Sequence, residues 1–187
     1  MAEEPHPFAR GGSAAAVYAL RHLAAIAALP VMVAVVVPAL LLSSTPGAPP
    51  SGAIRIVTLF GAVVFFVIGL TLFVSTVALF MTVGRGTLAP WDPPRRLVVR
   101  GVYRHVRNPM ISGVVSILLA ESLLFGSAAI FRWFLVFAAA NLVYIPIVEE
   151  PMLERRFGED YELYRRHVPR WIPRLKPWEG VPERIPD

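Results

Sequence analysis

The sequence predicts an all-α integral membrane protein of about four transmembrane helices, with both termini on the cytosolic side. The chain has 187 residues, of which 56% are hydrophobic, and its mean hydropathy is +0.59. That is more apolar than a typical soluble domain. Apolar runs alternate with short polar loops, and arginines concentrate in alternate loops. The length suits one membrane-embedded domain covering residues 1–187.

The predicted spans are about 15–42, 56–83, 110–126 and 130–148. A helix needs about 20 mostly apolar residues to cross the hydrocarbon of a bilayer, with some tolerance for shorter and longer spans. Pro30 and Pro38 lie inside the first span and predict kinks, which membrane helices tolerate. Only "SAA" separates the last two apolar runs after Gly126, so the last two spans form a tight helical hairpin.

The arginine distribution predicts the orientation of these spans. The loop 84–109 carries six arginines, and the segment 149–187 carries seven more together with Lys176, whereas the segment 43–55 has only Arg55. The positive-inside rule therefore places the loop 84–109 and both termini in the cytosol. The N-terminus starts acidic, and the apolar run behind it is too long for a signal peptide, so we expect a retained span.

The segment after the fourth span is predicted to form an amphipathic helix. It begins near Pro151, a favoured first-turn residue, and Pro169 and Pro173 end it. The residues that form its apolar stripe are Leu153, Phe157, Tyr161, Tyr164 and Val168. Such a helix lies on the membrane or folds over the cytosolic end of the bundle. Trp171 and Trp178 fit an interfacial belt.

Two polar clusters flank the predicted hairpin. Tyr103, Arg104, His105, Arg107 and Asn108 precede the third span, and Glu149 and Glu150 follow the fourth, so the hairpin brings the clusters together. Free amides at the helix start near Pro109 could hold an anionic group. Arginine suits a carboxylate, whereas glutamate suits an ammonium or ribose hydroxyls.

Composition narrows the chemistry. The chain has no cysteine, which excludes disulfides, zinc thiolates and cysteine nucleophiles, and we expect no metal site. The net charge of +5 is explained by membrane orientation, so nucleic acid is not an expected partner.

The C-terminal half resembles a known family. The stretches "GVYRHVRNPMISG" and "EEPMLERRFGEDYELYRRHVPRWIP" are similar to the isoprenylcysteine carboxyl methyltransferases, which resemble the phospholipid N-methyltransferases. The residues that carry the resemblance are Gly101, Tyr103, Arg107, Pro109, Gly113, Glu149, Glu150, Phe157, Gly158, Tyr161, Tyr164, Val168, Pro169 and Arg170. The resemblance implies S-adenosylmethionine bound at the cytosolic side and methyl transfer to a lipophilic acceptor entering from the membrane.

The resemblance also implies the site residues. Glu150 and Arg107 are the expected catalytic residues, with Glu150 as a candidate base if the acceptor is a thiol or an amine. The expected cofactor-binding residues are Tyr103, His105, Arg107, Asn108, Pro109, Met110, Gly113, Glu149, Glu150, Tyr161 and Tyr164. Asn108 stands where the family usually has histidine, and an amide can form hydrogen bonds but cannot titrate near pH 7.

Two other functions remain open from the sequence. Membrane sterol reductases, which bind NADPH, carry a similar Arg-x-Pro element before a C-terminal hairpin, but they usually follow it with an asparagine-tyrosine pair where this chain has Met110 and Ile111. A non-catalytic four-helix membrane protein is the other alternative.

The expected partners are the lipid bilayer and a lipophilic or small-molecule methyl acceptor; the oligomeric state is not predicted. The arginine- and alanine-rich composition favours a bacterial protein in the inner membrane, with its site facing the cytosol.

Overall fold

The computed structural model describes residues 27–79, 82 and 97–180, and the regular structure in these residues is helical throughout. A π-helical segment, Ala27–Val36, runs into α1 (Val37–Ser44), which is followed by α2 (Gly52–Leu79). A 3-10 turn, Gly101–Arg104, leads to α3 (Pro109–Phe125) and α4 (Ala128–Tyr144). A π-helical turn, Ile145–Glu149, joins α4 to α5 (Glu150–Phe157), and α6 (Glu159–His167) comes last.

Within residues 27–79 and 97–180, two helices are long and apolar enough to cross a membrane. One is α2, with 28 residues, and the other is the continuous 30-residue helix Ala128–Phe157, which contains α4, the π-helical turn and α5. The other two predicted spans correspond to shorter apolar helices, Leu29–Ser44 and Pro109–Phe125. Residues 15–26 of the first predicted span, and 80, 81 and 83 of the second, lie outside the described residues. The orientation of the bundle stays a prediction.

The predicted hairpin is present between α3 and α4. Gly126 ends α3 in the left-handed conformation, with φ 59°, which a residue without Cβ adopts freely. The Ser127 hydroxyl then accepts a hydrogen bond from the amide of Ile130 at 3.3 Å and caps α4. The turn is therefore only two residues long, and the far ends of α3 and α4 lie side by side.

Helices α2 and α3 cross in close contact at two glycines. A Cβ atom on Gly69 would lie 2.7 Å from the backbone oxygen of Gly113, and one on Gly113 would lie 2.8 Å from the backbone oxygen of Gly69. Small residues at such a crossing let two membrane helices approach backbone to backbone. Beyond the crossing, Val114 and Leu118 of α3 pack with Ala34 in a buried cluster.

The structure corrects the prediction for the segment after the fourth span. Instead of one amphipathic helix from Pro151, the chain continues α4 through the π-helical turn into α5 and then breaks at Gly158, with φ 55° and ψ −131°. The buried residues of the predicted stripe are Tyr161, Tyr164 and Val168, and they pack against Leu97, Val99, Leu153, Phe157 and Trp178. The stripe therefore covers the segment before α3 and folds over the end of the bundle.

The glycine crossing generates a stability prediction. Gly69→Ala should lower the unfolding free energy by about 1–3 kcal/mol, because the new methyl group meets the Gly113 backbone, which cannot move aside as a side chain can. Thermal unfolding in detergent measures the change. Gly61→Ala in the same helix is the matched control, since its Cβ would make an ordinary 3.4 Å contact with a Leu123 methyl group. Equal stability of the two variants would contradict the tight crossing.

Candidate active site

Three segments meet at the polar end of the α3–α4 hairpin. They are the loop 100–108 before α3, the start of α5, and the extended segment 168–178 after α6, which we call the C-terminal strap. The strap runs along the loop through three backbone hydrogen bonds of 2.9–3.0 Å. These bonds are Arg107 N–H to Pro169 O, Arg174 N–H to His105 O, and Trp178 N–H to Arg104 O.

Polar side chains of the loop also hold the backbone of the strap. The Asn108 amide donates to the carbonyl of Arg170 at 3.3 Å, and Arg104 Nε donates to the carbonyl of Trp178 at 2.6 Å. His105 Nδ1 lies 2.8 Å from the carbonyl of Arg174. Two predicted site residues, His105 and Asn108, therefore fasten the strap to the loop.

The Glu150 carboxylate lies at the centre of the site. Its Oε1 accepts from Arg107 Nη1 at 2.8 Å and from Arg170 Nε at 2.6 Å, while Oε2 accepts from Arg170 Nη2 at 2.8 Å. The side chains of Glu150 and Arg107 are 5% and 9% exposed, and that of Arg170 is 32% exposed. A buried carboxylate paired on both oxygens by two guanidinium groups ties all three segments together.

This geometry argues against the expected role of Glu150 as a base. A base needs an oxygen lone pair directed at the proton that it removes, and both Glu150 oxygens already accept charged hydrogen bonds. Removal of this carboxylate would leave two guanidinium groups facing each other with little water. Glu150 therefore ties the segments of the site together, while its catalytic role stays a prediction that this geometry does not favour; sequence reasoning missed Arg170 as its main partner.

Glu149 differs from its neighbour in sequence. Its side chain is half-buried and forms no hydrogen bond or ion pair with any other described residue. Burial and then the charge of Glu149 raise the pKa of the Tyr103 phenol, while a hydrogen bond with Thr76 of α2 opposes the rise. The site thus contains one half-buried carboxylate without a counter-charge among the described residues.

The two predicted tyrosines of α6 close the site from one side. The Tyr161 hydroxyl lies 3.5 Å from Arg107 Nη1. Burial and the charge of Glu150 raise the pKa of Tyr161, so it stays neutral at physiological pH. The Tyr164 hydroxyl donates to the carbonyl of Tyr103 at 2.8 Å and fixes the loop.

The start of α3 offers further hydrogen-bond donors. Pro109 occupies the first turn, and the Asn108 side chain makes no capping bond because it is directed to the strap. The first helical backbone bond runs from the Ser112 amide to Asn108 O, which leaves the amides of Met110 and Ile111 without a backbone acceptor among the described residues. Arg107 Nε is also buried and has no hydrogen-bond partner within the described part of the chain. These donors suit an anionic group.

Most predicted site residues therefore converge on one place. Gly113 is the exception, because the structure places it one turn into α3, at the crossing with Gly69. Its role towards a cofactor stays a prediction. Among the described residues, no group of three or more histidine, aspartate or glutamate side chains could hold a metal ion.

The fold and site define a helical membrane protein with a polar site at one end of its bundle. The model of the phospholipid methyltransferase family matches residues 57–160, which is more than half of the chain. The chain therefore belongs to the phospholipid methyltransferase family, in agreement with the resemblance found in the sequence. Comparison with curated proteins finds no match, and comparison with solved structures also finds none.

The Glu150 cluster generates a second stability prediction. Glu150→Gln should destabilise the protein by about 3 kcal/mol, because it leaves two arginines at a buried site without their counter-charge. Thermal unfolding in detergent measures the loss. Glu154→Gln is the control, since the Glu154–Arg165 pair has both side chains more than one-third exposed and should contribute under about 1 kcal/mol. Equal losses in the two variants would contradict the central role of Glu150.

Proposed function

We propose that this protein transfers a methyl group from S-adenosylmethionine to a lipophilic acceptor at the cytosolic face of the membrane. The observation that carries the proposal is the presence, at one end of the bundle, of donors and an acceptor without partners among the described residues, in a member of a methyltransferase family. The donors are Arg107 Nε and the first amides of α3, and the acceptor is the Glu149 carboxylate.

The donors of Arg107 and α3, together with the Glu149 carboxylate, fit the polar groups of S-adenosylmethionine. The amides of Met110 and Ile111, together with Arg107, would hold its carboxylate. Glu149 would accept hydrogen bonds from its ammonium or ribose hydroxyls. Both groups of residues are fixed by packing, because the Glu150 cluster holds Arg107 and the π-helical turn places Glu149. Binding would therefore require little reordering of the chain.

Bound S-adenosylmethionine supplies a methyl group on a positively charged sulfonium, which is already activated for displacement. The residues of this chain then need to align the acceptor and exclude water. A carboxylate acceptor needs no base, whereas a thiol or an amine must lose a proton. Glu149 is the candidate proton acceptor, through the carboxylate oxygen that does not hold the cofactor, since both oxygens of Glu150 are occupied.

The family name favours an amine-bearing phospholipid over the isoprenylcysteine carboxylate that the resemblance implies first. An amine acceptor also gives the unpaired Glu149 carboxylate a chemical role. Broad apolar surfaces on the outside of α2 and α4 include Phe60 and Val136 and would face acyl chains, so a lipid can approach from the bilayer. The arginine-rich loop 84–109 supports a cytosolic orientation.

Two observations weigh against the alternative functions, a non-catalytic membrane protein and an NADPH-dependent reductase. Asn108, which stands where the family usually has histidine, is the residue that favours a non-catalytic protein. Its side chain nevertheless donates a hydrogen bond to the strap, a role that needs no titration. The family match favours methyl transfer over an NADPH-dependent reductase.

Ligand binding separates these functions directly. Calorimetric titration of the detergent-purified protein should show saturable binding of S-adenosylhomocysteine and none of NADPH. Arg107→Ala and Glu150→Ala should abolish this binding while the protein still folds. The first variant removes a donor to the cofactor carboxylate, and the second removes the side chain that holds Arg107 in place. Binding of NADPH alone would favour the reductase, and binding of neither ligand would contradict both enzymes.

Substitutions of Glu149 and Glu150 should differ in their effects on thermal stability. Glu149→Gln should weaken S-adenosylhomocysteine binding at least tenfold with little change in thermal stability, because Glu149 has no partner among the described residues to lose. Glu159→Gln, an exposed glutamate at the start of α6, is the charge-matched control. Affinity equal to the control would remove Glu149 from the cofactor site.

A further inference from the structure

Two apolar side chains of the strap are almost fully exposed. Ile172 is 80% exposed and Leu175 is 97% exposed. The strap backbone between them is nevertheless fixed, because the Arg170 carbonyl, the Arg174 amide and the Trp178 amide all bond to the loop 104–108. The backbone contacts that hold the strap therefore direct these two side chains away from the protein.

The strap lies at the ends of the apolar helices. The loop that it pairs with leads directly into α3 at Pro109. At the other end of this loop, a Cβ on Gly101 would lie 3.2 Å from a methyl group of Leu79, the last residue of α2. Trp171 and Trp178 are half-buried members of the strap, and tryptophan is enriched where lipid headgroups meet acyl chains.

Positive charge accompanies the exposed apolar residues. Lys176 follows Leu175 and is exposed, and Arg174 lies on the other side of Leu175. Trp178 borders a groove of about 440 Å³ whose walls include Arg100 and Arg104, with Glu179 as the acidic residue there. Apolar residues interleaved with cations and tryptophans are typical of segments that bind the surface of an anionic bilayer.

We propose that the C-terminal strap is a membrane-surface contact in which Ile172 and Leu175 enter the boundary between headgroups and acyl chains of an anionic bilayer. Lys176 and the arginines of the groove face the lipid phosphates. This contact is independent of the methyl-transfer proposal, since it rests on exposure, position and charge alone.

The absence of cysteine from the sequence allows a direct test by site-specific spin labelling. Ile172→Cys and Leu175→Cys are labelled in the full chain and reconstituted into phosphatidylcholine vesicles containing phosphatidylglycerol. Glu159→Cys, on exposed α6, is the aqueous reference. Labels at 172 and 175 should be more accessible to oxygen than to a water-soluble nickel complex, with the reverse at 159. Strap labels as accessible to nickel as the reference would overturn the proposal, and would instead fit docking of a soluble partner.

A second experiment tests the contribution of positive charge to this membrane contact. In the labelled Leu175→Cys chain, Lys176→Gln should raise the accessibility of the label to the nickel complex relative to oxygen in vesicles containing phosphatidylglycerol. In vesicles of phosphatidylcholine alone, the same substitution should have no effect. Arg155→Gln, which removes an exposed arginine of α5, is the matched control. An equal change in accessibility from both substitutions would mean that only the net charge of the protein matters, and it would overturn the role assigned to Lys176.

Discussion

The polar end of this protein depends on one buried carboxylate that two arginines share. Glu150 opens α5, Arg107 ends the loop before α3, and Arg170 belongs to the strap after α6. A buried charge needs close partners, and removing one partner from such a cluster is costly. The cluster therefore forms only when all three segments are in place. The two-residue hairpin turn meets part of this condition, because it sets the far ends of α3 and α4 side by side.

The same cluster separates the roles of two adjacent glutamates. Glu149 ends the π-helical turn and Glu150 opens α5, and their hydrogen-bond partners differ although the charges of both act on Tyr161. Glu150 faces the arginines and is buried, whereas Glu149 keeps its carboxylate free of partners among the described residues. The unused donors of Arg107 and α3 and the unused acceptor Glu149 all lie at the polar end of the described helices.

The sequence predicted the parts of this arrangement that local chemistry determines. Apolar runs located the helices, Gly126 and the short "SAA" stretch located the hairpin, and the polar residues around Arg107 and Glu149 located the site. Three features escaped prediction, two of them because they depend on tertiary contacts. The crossing at Gly69 and Gly113 involves two distant helices, and the Glu150–Arg170 pair joins residues 20 positions apart. The π-helical turn that makes α5 continuous with α4 has no clear pattern in sequence, so α5 and α6 were predicted as one separate helix.

A double-mutant cycle between Glu150→Gln and Arg170→Gln tests the central claim most directly. Hydrogen exchange at the Arg174 and Trp178 amides, which bond to the loop, reports the free energy of opening the strap. Each substitution should lower protection, and the double variant should lose little more than either single one, with a coupling energy above about 1 kcal/mol. Additive losses, or full protection in both single variants, would contradict the central claim.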